Sequence, residues 1–303
     1  MNAVECRDLT KAYGRLKAVN NLSFVIEENK ITGLIGRNGA GKTTLLKVIA
    51  GFLQKTAGEV KVFAENPFNN LTVSANTVFI DDNMPFPQSL CLGDLLNSAA
   101  GFYRNWDMGL ARGMLDYFSL NPKQHYQNLS KGMKSIFTVV MGLSARCSLT
   151  IFDEPTAGMD AGSRKDFYRA LLKDYLQHPR TIILSSHLLN EIEDVLEDIL
   201  LIGEGKKILH APVSYFREYA LGLRGKSRLL EDLAKSREVI HKYHVGEDYT
   251  YLVVKNDLTE QERHQARLAG VDLTAVSAAD LCVYLTAGKK GGIDDVFNKN
   301  QFI

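Results

Sequence analysis

Ile31-Thr32-Gly33-Leu34-Ile35 is a short, β-branched apolar run that stops in Gly36-Arg37-Asn38-Gly39-Ala40-Gly41-Lys42-Thr43-Thr44, after which Leu45, Leu46, Val48 and Ile49 follow at helical spacing. Strand, glycine loop and helix in that order leave a chain few folds to choose from. Gly36 to Thr43 fits G-x-x-x-x-G-K-[ST], a pattern in which successive backbone N–H groups and the positive end of a helix converge on one point. That point suits a polyphosphate. Lys42 would reach its outer phosphates, and the Thr43 hydroxyl would ligate Mg²⁺.

Composition fits a polyphosphate held by backbone dipoles and one lysine. The 303 residues carry 36 Lys+Arg against 35 Asp+Glu, a formal net charge of +1, which argues against a polybasic nucleic-acid binder and against a disordered acidic chain. No nucleic-acid partner is expected. The longest stretch free of charged residues, Asn66 to Ile80, is rich in Asn and shorter than the roughly 20 apolar residues of a membrane-spanning helix. Glu5 and Arg7 interrupt the segment where a secretory signal would need an unbroken apolar run. A cytosolic chain is expected. Cys6, Cys91, Cys147 and Cys282 form no Cys-x-x-Cys pair, so reduced, mostly buried thiols are expected rather than a zinc site or a disulfide framework.

Strands alternate with helices through the first half of the chain, the pattern of an α/β fold. Strands are predicted at Val4 to Leu9, Leu22 to Ile26, Glu59 to Phe63, Thr77 to Ile80, Leu149 to Phe152 and Thr181 to Leu184, and a helix from Ala161 to Tyr175. Residues 84–145 read as helices and loops, entered through Pro85 and Pro87. Ile199 to Ile202 and Lys206 to Leu209 read as a hairpin over Gly203-Glu204-Gly205. Beyond Pro212 the spacing predicts an amphipathic helix from Ser214 to Lys235 and strands at Val239 to Val245 and Tyr249 to Lys255. Two helices follow, opened by Thr259 with Glu262 and by Ser277 with Asp280 in capping-box patterns. Residues 213–303 hold 13 Lys+Arg and 13 Asp+Glu, a balanced small αβ domain without a nucleic-acid footprint.

Further residues make the glycine loop specific. Leu129-Ser130-Lys131-Gly132-Met133 precedes a helix, Leu149-Thr150-Ile151-Phe152-Asp153-Glu154 is an apolar strand ending in two carboxylates, Gly158-Met159-Asp160 follows, and His187 stands just past the strand Thr181 to Leu184. Together with Tyr13 ahead of the loop, these residues resemble the ATP-binding subunit of a bacterial ABC transporter, exporter-like, with one cassette per chain. The resemblance covers residues 3–210. It implies a P-loop NTPase cassette over 1–210, with a RecA-like core, an antiparallel β subdomain and a helical subdomain near 84–145, followed by an accessory or regulatory αβ domain over 213–303.

The same resemblance implies roles. Tyr13 would stack on adenine, and Gly36, Arg37, Asn38, Gly39, Ala40, Gly41, Lys42, Thr43 and Thr44 would cradle the phosphates of ATP. Ser130, Lys131 and Gly132 would meet the γ-phosphate held by an opposing cassette, and Asp160 would communicate across that dimer. Asp153 would join Thr43 on Mg²⁺, Glu154 would orient and deprotonate the attacking water, and His187 would contact the γ-phosphate. The sequence departs from the family pattern twice. Lys131 stands where glycine is usual, and Ile80-Asp81-Asp82-Asn83-Met84 lacks the glutamine that ligates Mg²⁺. Asp82 or Asn83 would take that place, with Asn83 favoured because it keeps an amide carbonyl. The implied partners are a separate transmembrane permease, docked near Asp81 to Leu92, and an identical or paralogous second cassette, with the chain peripheral on the cytoplasmic face of the cell membrane. The rival readings are a soluble ABC ATPase acting on a macromolecule and an ATP-dependent regulatory dimer with little turnover.

Overall fold

The computed structural model describes residues 1–81, 84–235, 237–246 and 248–287. They form two compact units, Met1–Ala211 and a second beginning at Pro212. In chain order the first unit contains β1 (Asn2–Tyr13), β2 (Leu16–Glu27), β3 (Ile31–Ile35), α1 (Lys42–Ile49), β4 (Ala57–Val62), α2 (Leu71–Ala75), β5 (Thr77–Ile80), α3 (Leu92–Phe102), α4 (Met108–Tyr117), α5 (Lys131–Ala145), β6 (Leu149–Asp153), α6 (Ala161–Gln177), β7 (Thr181–Ser186), β8 (Asp198–Gly203) and β9 (Lys206–Pro212).

Two sheets organise this unit. One is six-stranded in the order β5-β6-β7-β3-β8-β9, and the other is three-stranded in the order β2-β1-β4. β5, β6, β7, β3 and β8 pair in parallel. Every residue of β3, β5, β6 and β7 is buried, which explains why these strands read as continuous apolar runs rather than alternating ones. The smaller sheet is antiparallel and does alternate, with Leu22, Phe24 and Ile26 of β2 buried.

α1 lies where the two sheets share a core. Leu45, Leu46, Val48 and Ile49 join one cluster with Val4, Leu9, Phe24, Val60 and Val62 of the antiparallel sheet and Leu34, Ile151, Ile183 and Leu200 of the parallel sheet. At about 1.5–3 kcal/mol for each fully buried aliphatic side chain, this contact outweighs the weak intrinsic stability of an eight-residue helix. Tertiary packing therefore sets the position of the residues at its N-terminus.

A partly buried charge network, centred on the buried Asp174 and Arg180, ties the helical region to the base of the large sheet. Arg146, in left-handed conformation at the C-terminus of α5, donates from Nε and Nη2 to Asp174 Oδ1 at 3.1 and 2.9 Å, and its Nη1 reaches Asp107 Oδ2 at 3.0 Å. Arg180, just before β7, pairs with Asp174 Oδ2 at 2.8 Å, and both side chains are 4% exposed. Burial pulls the Arg180 pKa below its ordinary range, while the Asp174 carboxylate opposes that shift.

The second unit contains α7 (Val213–Glu218), β10 (Ala220–Lys226), α8 (Ser227–Ala234), β11 (Val239–Val245), β12 (Tyr249–Lys255), α9 (Glu260–Leu268), β13 (Asp272–Ala275) and α10 (Ala278–Thr286). Its sheet runs β11-β12-β10-β13 with antiparallel neighbours, so β10 to β13 form the βαββαβ arrangement of ferredoxin-like domains. Leu221, Leu223, Leu230, Leu252, Val254, Leu258, Ala266 and Val271 form its core.

Here the structure corrects the predicted helix over Ser214 to Lys235. β10 interrupts it, because Leu221 and Leu223 are paired opposite Val254 and Leu252, and Gly222, a poor helix former, is the residue that fits there. A Cβ at Gly222 would stand 2.3 Å from the Tyr251 hydroxyl. β13 is a further strand that the sequence pattern did not predict; it pairs with β10. The capping box at Thr259 and Glu262 is present. Ser277 Oγ accepts from the Asp280 N–H, but Asp280 does not complete the box at the Ser277 backbone. Cys6, Cys147 and Cys282 are buried and Cys91 is half-buried, and none of the four is in a disulfide. Among the described residues no helix is long and apolar enough to cross a membrane.

Replacing Asp174 with Asn should destabilise the first unit by about 3–5 kcal/mol, because it leaves the buried Arg180 without its carboxylate while Arg146 keeps only Asp107. Chemical denaturation followed by circular dichroism measures this, and a loss below about 1 kcal/mol would show that the network is solvent-screened.

Candidate active site

β3 ends at Ile35, and the chain turns through Gly36 to Gly41 into α1. Two glycines have backbone pressed against them. A Cβ at Gly41, which has φ +101°, would stand 2.2 Å from the Ala18 carbonyl oxygen, and one at Gly36 would stand 2.5 Å from that of Ile202. β2 and β8 therefore wall in the loop. The Gly205 N–H donates to the Ala40 carbonyl at 3.0 Å and the Ala40 N–H to the Arg37 carbonyl at 3.0 Å, which fixes the loop's path. α1 has no side-chain cap and no acidic residue in its first turn, so the positive end of the helix is offered to a ligand.

A cavity of about 250 Å³ opens at this point, lined by Ala18, Arg37, Asn38, Gly39, Ala40, Gly41, Lys42, Thr43, Thr44 and Glu154. Lys42 is buried. Its Nζ donates to the Gly36 carbonyl at 2.7 Å and lies 3.1 Å from Glu154 Oε1. Glu154 Oε2 lies 2.9 Å from Nδ1 of the exposed His187. Lys42, Glu154 and His187 thus form one connected chain across the ends of β3, β6 and β7.

Asp153 is the last residue of β6 and is buried. Its Oδ1 accepts a 2.5 Å hydrogen bond from Ser185 Oγ. Glu154 departs from the strand with φ +48°, and its N–H donates to the same Ser185 oxygen at 2.9 Å. Among the described residues no group of three or more His, Cys, Asp and Glu gathers as a metal site. Thr43 and Asp153 are nonetheless the kind of sparse oxygen donors with which Mg²⁺ is held when substrate phosphates complete its shell.

A second group of expected site residues gathers at the starts of α5 and α6 and does not line the cavity. Ser130 caps α5 by accepting from the Met133 N–H. Gly132 and the stem of Lys131 lie against Gly158, and Ser135 Oγ donates to the Ala157 carbonyl at 2.6 Å. Asp160 caps α6, accepting from the Gly162 and Ser163 N–H groups at 2.8 and 3.0 Å. The Ser163 hydroxyl, with those amides, holds its carboxyl below the usual range. Tyr13 ends β1 half-exposed, with the Lys11 ammonium 5.2 Å from its ring centre, and does not line the cavity either. Asn83 and Asp82 lie outside the described residues. Sequence reasoning missed Ala18 and Ser185. Nothing local marks Ala18, but Ser185 sits level with Asp153 in the parallel register, and aligning the strand ends would have found it.

A sequence profile of the ABC transporter family matches residues 19–157. The lantibiotic transport ATP-binding protein SrtF of Streptococcus pyogenes is 30% identical over 223 residues, covering 68% of this chain and 89% of SrtF. The chain belongs to the ABC transporter ATP-binding family. The ABC transporter ATP-binding protein YtrB of Bacillus subtilis is 28% identical over 190 residues, 63% of this chain. The match spans 65% of YtrB's own length. The cassette also superposes on a solved structure described as the ATP-binding subunit of an ABC transporter, with TM-score 0.64 at 23% identity, covering 71% of this chain and 92% of the other. That likeness establishes the ABC ATPase cassette fold.

Replacing Lys42 with Gln should weaken binding of a fluorescent ATP analogue by about 10- to 100-fold, the worth of a charge-assisted contact. Unchanged affinity would place the nucleotide elsewhere.

Proposed function

We propose that this chain is the ATP-hydrolysing subunit of an ABC exporter, working with a separate membrane permease and a second cassette. The observation that carries the reading is the chain of contacts from Lys42 to Glu154 to His187, which joins the phosphate loop to the two groups expected to act on water and the γ-phosphate. The name of SrtF, a lantibiotic transport ATP-binding protein, supports transport as the work.

The residues then divide the reaction. Backbone N–H groups of residues 36–44 bind the phosphates, and the triphosphate takes Lys42 from Glu154. Freed from the ammonium, the Glu154 carboxylate accepts a proton from water as the water oxygen attacks the γ-phosphorus and the bond to ADP breaks. His187 holds the transferred γ-phosphoryl group by hydrogen bonding. Mg²⁺ bound through Thr43 and Asp153 would neutralise the charge on the β- and γ-oxygens, with Asn83 as the proposed additional ligand. Tyr13 is assigned to adenine. Ser130, Lys131, Gly132 and Asp160, gathered at two helix starts, form the face offered to the second cassette, whether identical or paralogous. Residues 1–210 make up the cassette and 213–303 an accessory domain. The whole acts at the cytoplasmic face of the membrane, where it meets the permease near Asp81 to Leu92.

Glu154→Gln should lower steady-state ATP hydrolysis by about 10²–10⁴-fold, the usual worth of a general base, while keeping ATP affinity and yielding ATP-bound dimers in light scattering. A wild-type rate would refute the assignment. Tagged wild-type chain purified from detergent-solubilised membranes should carry a membrane-spanning subunit. Recovery with a soluble macromolecular assembly instead would favour the rival ABC ATPase.

A further inference from the structure

We propose that Ser185 is a positioning residue for hydrolysis, with one hydroxyl that sets both carboxylate residues at the end of β6. The proposal rests on the reading of Asp153 as a Mg²⁺ ligand and Glu154 as the base. Ser185 is 1% exposed and sits on β7, level with Asp153 on β6. A serine hydroxyl has one proton to donate and lone pairs to accept with, and here both capacities are used. The proton goes to Asp153 Oδ1 at 2.5 Å, and the oxygen accepts the Glu154 N–H at 2.9 Å.

Each bond constrains a different degree of freedom. The bond to Asp153 holds a buried carboxylate in one rotamer, in the manner of the outer partners that orient metal ligands. The bond from Glu154 stabilises a left-handed turn that a glutamate seldom adopts, with φ +48°. That turn swings the Glu154 side chain back across the cavity to Lys42 at 3.1 Å and His187 at 2.9 Å. Without the hydroxyl, the N–H and one oxygen of Asp153 lose their shared partner in a water-poor site, and both carboxylates are free to turn. The parallel pairing of β6 with β7 uses backbone groups, so the strand itself does not depend on this side chain. The phosphate loop does not depend on it either, which separates nucleotide binding from the steps that follow.

The test uses the full chain as Ser185→Ala, Ser185→Thr and Asp153→Asn, with a fluorescent ATP analogue titrated in chelator and in Mg²⁺, alongside kcat and KM for ATP. In chelator, Ser185→Ala should bind the analogue within about twofold of wild type, while the tightening brought by Mg²⁺ and the kcat each fall by at least about tenfold. Ser185→Thr, which keeps the hydroxyl, should restore most of both. Should the alanine variant not fold, Ser185→Cys, which fills the space with a slightly larger side chain and weakens the hydrogen bonds, carries the same expectation. If Ser185→Ala retains Mg²⁺-linked tightening and kcat while Asp153→Asn loses them, the carboxylate reading stands and the role of Ser185 is refuted. If Asp153→Asn retains them as well, the underlying reading falls and this proposal falls with it.

Discussion

The helix that follows the phosphate loop has only eight residues, and a helix of that length is unstable alone in water. What holds it is the shared core of two sheets, with Leu45, Leu46, Val48 and Ile49 packed among residues from both. The phosphate-binding end of the site depends on this contact. It carries Lys42 into a buried position, presents the helix's positive end to the cavity, and brings β2 and β8 close enough that only glycine fits at positions 41 and 36. Loop, lysine and helix dipole are consequences of one packing arrangement. A chain with net charge +1 can hold a polyphosphate because the positive potential is local and preorganised.

The carboxylate end of the site has a comparable economy. β6 and β7 are neighbours in register, so residues that are distant in sequence meet at their ends. Asp153, Glu154, Ser185 and His187 lie within a few contacts of one another, and Lys42 reaches them from the neighbouring loop. In this arrangement Lys42 is satisfied by Gly36 and Glu154, so on the proposed reading a triphosphate would enter by exchanging one charge-assisted contact for several.

The loop, both carboxylates and the histidine were legible in the sequence because each belongs to a contiguous motif with its own strand or helix signal. Ser185 was not, since its meaning lies in a lateral neighbour that only sheet order supplies. Ala18 contributes through its backbone carbonyl, which no side-chain pattern reports. The parallel core strands were read correctly as apolar runs. The helix predicted over Ser214 to Lys235 failed because Leu221 and Leu223 also suit a strand, and pairing with β12 over Gly222 decided the matter. In the second unit tertiary pairing overrode local periodicity, and there the sequence carried no motif to correct the reading.

The central claim is that a buried, prepositioned phosphate cradle feeds a carboxylate base in this one chain, completed across a pair of cassettes. Phosphate release by the purified chain, followed continuously with saturating ATP and Mg²⁺ at rising protein concentration, tests it most directly. The account predicts many phosphates released per chain, with a rate per chain that climbs as cassettes pair and vanishes in chelator. Stoichiometric ATP binding without phosphate release at any protein concentration would contradict it.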